Sequence, residues 1–137
     1  MTEDNPKITP VKAFDDNYIW CLESPLAKGF VAVDPGDAQA VIDFSKQINK
    51  PLTAILVTHH HYDHTGGIQT LLKQFGELPV FGPSASPFAH ISHPLEQEQQ
   101  ISTLGYSFNV LEIPGHTLDH IAYYNQQHGI LFCGDTL

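Results

Sequence analysis

The chain has 137 residues, 42% of them hydrophobic and 15% charged, enough apolar material for one packed domain burying roughly two thirds of the surface its unfolded form exposes. Fifteen acids against six bases give a formal net charge of -9, and the bases are scattered lysines (Lys7, Lys12, Lys28, Lys46, Lys50, Lys73) with no arginine. Nucleic-acid binding needs clustered Lys and Arg to replace phosphate counterions, so this balance argues against DNA or RNA partners, while an acidic chain can still hold divalent metal.

The opening Met-Thr-Glu-Asp-Asn-Pro lacks the basic and apolar regions of a secretory signal, and no stretch is long and apolar enough to span a bilayer. The expectation is a cytoplasmic protein with no membrane partner. Cys21 and Cys133 each sit in an apolar strand-like run and read as buried small hydrophobes rather than a disulfide.

Ile8 to Phe14 and Tyr18 to Glu23 read as two strands of a hairpin joined at Asp15-Asp16-Asn17. Phe30-Val31-Ala32-Val33 is a continuous apolar run, as for a strand buried on both faces, ended by the turn Asp34-Pro35-Gly36. Asp37 then caps a helix from Ala38 to about Asn49, with Val41, Phe44 and Ile48 at helical spacing and Pro51 beyond its end. Thr53 to Val57 is a second buried strand, and strand, helix, strand in so short a span predicts a βαβ unit with parallel strands.

Ile68, Leu71, Leu72 and Phe75 fall on one face of a second helix starting after Gly66-Gly67, and Pro79-Val80-Phe81 follows as a short strand. Gly82 to Gln100, with its prolines and its run of Gln and Glu, reads as an irregular or partly helical excursion. Strand-like runs return at Tyr106 to Ile113, Ile121 to Tyr124 and Ile130 to Cys133. No linker or internal repeat divides residues 1–137, so one domain is expected.

Directly after the strand ending at Val57 comes Thr58-His59-His60-His61-Tyr62-Asp63-His64-Thr65-Gly66-Gly67. Open α/β sheets place ligand sites at the carboxyl ends of their strands. Alternate positions on an extended segment point the same way, so His59, His61 and Asp63 can converge while His64 turns aside toward the helix. Imidazole with carboxylate suits zinc, iron or manganese, and the lack of nearby cysteine favours a catalytic over a structural zinc site. Two more candidates follow strands and glycines: His116 in Pro114-Gly115-His116-Thr117 and Asp135 in Cys133-Gly134-Asp135-Thr136.

An isolated loop histidine is usually a solvated polar residue, which is the reading for His90, His93 and His128. His60 lies between convergent positions and is expected to point away. The bland reading of the main cluster would require four metal-binding side chains to gather by accident between His59 and His64 at one strand end.

The pattern T-H-x-H-x-D-H, followed in order by P-G-H-T and F-C-G-D-T-L, resembles the signature of the metallo-β-lactamase superfamily. Phe14-Asp15-Asp16-Asn17-Tyr18-Ile19-Trp20, Val33 to Asp37 and Thr58 to Gly67 further resemble glyoxalase II, the hydroxyacylglutathione hydrolase family. The resemblance implies an α/β fold, the metallo-β-lactamase-like αββα sandwich. It implies two divalent metal ions, zinc foremost with iron or manganese as alternatives. His59, His61 and His116 would hold the first metal, Asp63 and His64 the second, and Asp135 would bridge both. A metal-bound hydroxide, oriented by Asp63 as catalytic residue, would hydrolyse S-D-lactoylglutathione to glutathione and D-lactate.

The family takes one more histidine ligand from beyond G-D-T-L, where this chain reaches Leu137. The remaining strands and helices of the sandwich and the helical domain that grips glutathione would also lie there. The fold is thus expected truncated after that motif, with exposed apolar surface, unpaired strand edges and self-association through that face. Asp119 stands where relatives usually have glycine, and His120 reads as a structural neighbour of the site. Other readings are a different hydrolase of the superfamily, a non-catalytic metal-binding module, and a redox diiron protein, which would usually carry glutamate at the position of His61. The RNA-processing branch is disfavoured by the acidic, arginine-free composition.

Overall fold

In the computed structural model, which describes residues 5–13, 17–59, 67–84, 90–113 and 120–133, the chain opens with β1 (Lys7–Ala13) and β2 (Asn17–Glu23). They pair antiparallel from Lys7↔Glu23 to Ala13↔Asn17, as the expected hairpin requires; most of its turn lies outside the described residues. β3 (Phe30–Val33) is buried at every position, because both of its faces are covered. α1 (Ala38–Ile48) follows, and Asp37 caps it by accepting from the Gln39 and Ala40 N–H groups. Asn49 closes it in the left-handed conformation, φ 56°, and its N–H donates to the Ser45 carbonyl.

β4 (Leu52–Leu56) lies parallel to β3, as the βαβ reading requires. α2 (Ile68–Phe75) turns Ile68 and Leu71 inward. β5 (Val80–Pro83) and β6 (His93–Leu95) extend the sheet in parallel, in the order β1-β2-β3-β4-β5-β6. A second, antiparallel sheet has the order β10-β9-β8-β7, from β7 (Gln100–Thr103), β8 (Tyr106–Glu112), β9 (Ile121–Asn125) and β10 (Ile130–Phe132).

Here the structure corrects the sequence. Within Gly82 to Gln100 it forms the strand β6 and no described helix; Pro94 and the exposed His93 and His90 hide a strand that pairs on β5 by its backbone. An edge strand tolerates proline, which costs a ladder donor only on one side.

Two apolar layers hold the architecture. Ile19, Cys21, Phe30, Ala32, Ile55 and Val57 face α1 and α2, meeting Val41, Phe44, Ile68 and Leu71. On the opposite face Leu22, Val31, Val33 and Leu56 pack against Phe108, Val110, Tyr123 and Phe132 of the second sheet. Alternation along β3 and β4 therefore divides one sheet between two cores, each large side chain contributing roughly 1.5–3 kcal/mol on burial. Among the described residues the layers are helix, sheet, sheet, three of the four layers of an αββα sandwich. Trp20 is 42% and Leu131 48% exposed, and among the described residues β10 pairs with β9 alone. No described helix is long and apolar enough to cross a membrane.

Candidate metal centre

The site is built where strand ends of the two sheets meet. Past β4, the Val57 N–H donates to the Phe81 carbonyl at 2.8 Å. Tyr123, fully buried on β9, donates its hydroxyl to the Val57 carbonyl at 2.6 Å, with the Phe81 carbonyl at 3.3 Å. Burial, with a further push from the charge of Asp34, raises the Tyr123 phenol well above its usual value, so it stays protonated and remains a donor.

One residue further on, the sheets are joined directly, the Ile121 N–H donating to the Thr58 carbonyl at 2.9 Å, while within the second sheet the Ile113 N–H donates to the His120 carbonyl at 2.9 Å. His59 and His120 are 0% and 1% exposed, and their rings stack with centroids 4.7 Å apart and 24° between planes. Nε2 of His120 lies 2.8 Å from the Cys133 carbonyl. A carbonyl only accepts, so His120 carries its proton on Nε2. The ends of β4, β8 and β10 and the start of β9 are thereby gathered around two imidazoles.

Below His59 lies a polar chain. Asp34 Oδ1 accepts the Thr58 N–H at 2.7 Å and Oδ2 accepts the Thr58 hydroxyl at 2.6 Å. Thr58 Oγ in turn lies 2.8 Å from His59 Nδ1. Asp34 reaches this position in the left-handed region, φ 53°, at 4% exposure, a conformation that costs a non-glycine residue about 1 kcal/mol or more and persists only when its surroundings demand it. Its own N–H donates to the Leu56 carbonyl at 2.8 Å.

Of the six expected ligands, only His59 has a described position. His61, Asp63 and His64 belong to 60–66, His116 to 114–119 and Asp135 to 134–137, all outside the described residues, as are His60 and Asp119. Among the described residues no group of three or more His, Cys, Asp and Glu stands close enough to hold a metal. What the structure does place is the origin of each segment: 60–66 leaves from His59, 114–119 runs from Ile113 to His120, and 134–137 leaves from Cys133. These three points are tied together by the hydrogen bonds above.

His90 and His93 are exposed, as expected. His128 differs: it is half-buried, its ring edge-on to Tyr106 at 5.3 Å with 84° between planes. Its position within the turn between β9 and β10 hid that packing. Both cysteines are free and buried, and burial pushes the Cys21 thiol up to about 12. Asp34, Thr58 and Tyr123 were not singled out by the sequence; an acid directly after a fully apolar strand was the available signal for Asp34. Beside the site a groove of about 470 Å³ opens, lined by Asp34, Cys133, Val33, Trp20, Ile8 and Phe132 among others.

The family model described as the metallo-beta-lactamase superfamily matches residues 27–137. The chain belongs to the metallo-β-lactamase superfamily. It is 48% identical over 134 residues to the hydroxyacylglutathione hydrolase of Shewanella halifaxensis (strain HAW-EB4), covering 96% of this chain and 51% of that one. Against the hydroxyacylglutathione hydrolase of Legionella pneumophila (strain Corby) it is 45% identical over 130 residues, covering 95% and 51%. The chain thus spans about half the length of these relatives. Among solved structures of the superfamily fold, the BLEG-1 B3 metallo-beta-lactamase superposes with TM-score 0.79 at 27% identity, covering 96% of this chain and 72% of that one. TTHA1623 in a di-iron-bound form superposes with TM-score 0.76 at 27% identity, covering 94% and 72%. Divalent metal binding is a property this superfamily membership implies.

The described donor chemistry fits a metal. The single Thr58 hydroxyl proton goes to Asp34, so Thr58 Oγ meets His59 Nδ1 with a lone pair, and Nδ1 must carry the His59 proton. The Nε2 lone pair is then the one available for coordination.

Proposed function

We propose that this chain is the metal-binding portion of a thioester hydrolase of the hydroxyacylglutathione type, acting on S-D-lactoylglutathione to give glutathione and D-lactate in the cytoplasm. His59, His61 and His116 would hold one divalent cation, Asp63 and His64 a second, and Asp135 both, with zinc the leading candidate and iron or manganese the alternatives. A cation pair so held supplies activated water at neutral pH and a Lewis acid for a carbonyl oxygen.

The observation that carries this reading is the convergence at His59 and His120 of the strand ends from which all three ligand-bearing segments depart. Three loops tied at one point can deliver ligands to one centre, whereas ligands on unconnected loops could not be held to the ~0.5 Å tolerance a site requires. The chain's own groups then do the positioning: Thr58 and His120 hold the His59 ring, and Tyr123 holds the backbone beneath it. Asp63, two residues past His61 in the sequence, would orient the attacking water with its carboxylate. The names of the relatives support the glutathione thioester as substrate.

The test is hydrolysis of S-D-lactoylglutathione by the zinc-reconstituted chain, run beside a cephalosporin. Loss of thioester absorbance with no β-lactam turnover supports the proposal. Turnover of the β-lactam alone reassigns the chain to another hydrolase, and metal uptake without turnover of either makes it a metal-binding module.

A further inference from the structure

We infer that Asp34 and Thr58 are positioning residues that fix the tautomer of His59, so that its Nε2 faces coordination chemistry with a lone pair; the inference rests on the metal reading above. The chain of hydrogen bonds has a single allowed direction. A carboxylate only accepts, and Asp34 accepts twice from Thr58, at Oδ1 from the backbone N–H (2.7 Å) and at Oδ2 from the hydroxyl (2.6 Å). The hydroxyl proton being used, Thr58 Oγ can meet His59 Nδ1 at 2.8 Å only as an acceptor. The proton of the neutral imidazole is therefore on Nδ1.

Three further features hold the relay rigid. Asp34, Thr58 and His59 are all buried, at 4%, 0% and 0% exposure, so water does not compete for these bonds, and polar bonds are stronger where the surroundings are apolar. Asp34 adopts a left-handed backbone, φ 53°, between a fully buried strand and a proline. This is a strained choice that the two Thr58 contacts offset. The His59 ring is clamped from its other side by stacking on His120, whose Nε2–H is committed to Cys133. A ring fixed in plane, rotation and tautomer loses no further freedom when it binds a cation.

The relay predicts a directional response to substitution. In Asp34→Asn the amide can donate to Thr58 Oγ, which frees the hydroxyl proton for His59 Nδ1 and reverses the chain; the imidazole proton then moves to Nε2. Thr58→Val removes the link, and Thr58→Ser restores it.

The test is the nitrogen-15 spectrum of the histidine rings in the intact chain, with and without zinc, together with zinc affinity by competition with a chelating dye. The metal-free wild-type chain is expected to show a protonated Nδ1 and an unprotonated Nε2 at His59, and Thr58→Ser the same. Asp34→Asn is expected to show the opposite tautomer, and Thr58→Val a mixture, each with zinc binding weakened about 10- to 100-fold. A proton on Nε2 of His59 in the metal-free wild-type chain, or a Thr58→Val chain with unchanged tautomer and affinity, overturns the inference. Absence of zinc binding by a wild-type chain with the expected tautomer would leave the relay standing and remove the metal reading instead, so the two can fail separately.

Discussion

The imidazole of His120 stacks on that of His59, 4.7 Å between centroids, while its Nε2–H is given to the carbonyl of Cys133. One buried side chain thus connects His59, just past the end of β4, to Cys133, just past the end of β10. His120→Ala is expected to leave the Cys133 carbonyl without this donor and a cavity beside His59, costing about 2–4 kcal/mol in urea unfolding. His120→Gln, which can still donate, should recover part of that loss.

Tyr123 does the same for the other side of β4. Tyr123→Phe keeps the ring but removes the hydroxyl that donates to the Val57 carbonyl at 2.6 Å, and the expected cost is about 1–3 kcal/mol at unchanged m-value. A loss below a few tenths of a kcal/mol, measured by urea denaturation, would mean that this buried carbonyl is satisfied otherwise.

Alkaline pH should weaken the fold through two buried groups. The Cys21 thiol is pushed up from 9.0 to about 12, by burial first and then by the charge of Glu23, and the Tyr123 phenol rises by burial in the same direction. A raised pKa means that the folded state keeps its proton where the unfolded chain has lost it. The contribution of Cys21 is therefore complete below about pH 9 and is lost as pH rises through about 12, with a slope of about 1.4 kcal/mol per pH unit per group. Denaturant midpoints measured across that window should fall, and fall less steeply in Cys21→Ala. Cys21 should also resist alkylation in the native protein at neutral pH, because its thiolate is scarce.

Gly67 is expected to tolerate no side chain. A Cβ there would stand 2.6 Å from both the Pro35 carbonyl oxygen and the Ala38 backbone nitrogen, and the Gly67 N–H already donates to Pro35 at 3.1 Å. The start of α2 and the turn after Asp34 are thus in backbone contact. Gly67→Ala should cost about 1–3 kcal/mol by thermal unfolding and should also lower zinc affinity, because it displaces the turn that carries Asp34.

Much of this arrangement could be read from the residues. The fully apolar Phe30 to Val33, the spacing of Val41 and Phe44, and the face of Ile68 and Leu71 each carry a local period that burial imposes, and the structure keeps all three. β6 was illegible because a short edge strand is defined by backbone pairing with β5, and His93-Pro94-Leu95 has no period to show. The tautomer relay was illegible for another reason. Asp34 and Thr58 lie 24 positions apart, and their meeting depends on β3 and β4 being parallel neighbours in a particular register. The Asp34-Pro35-Gly36 sequence reads as a turn, and only its place directly after a fully apolar strand hints that its acid is buried.

Whether the strand ends gathered at His59 and His120 present a metal centre is tested most directly by metal content per chain from elemental analysis. Freshly purified wild-type protein, after dialysis against zinc and then metal-free buffer, is expected to retain about two ions per chain, the pair that such hydrolytic sites use, while His61→Ala and Asp135→Ala chains of unchanged far-ultraviolet circular dichroism should each retain fewer. A wild-type chain that is folded and retains no metal, or variants that retain as much as wild type, would contradict the account.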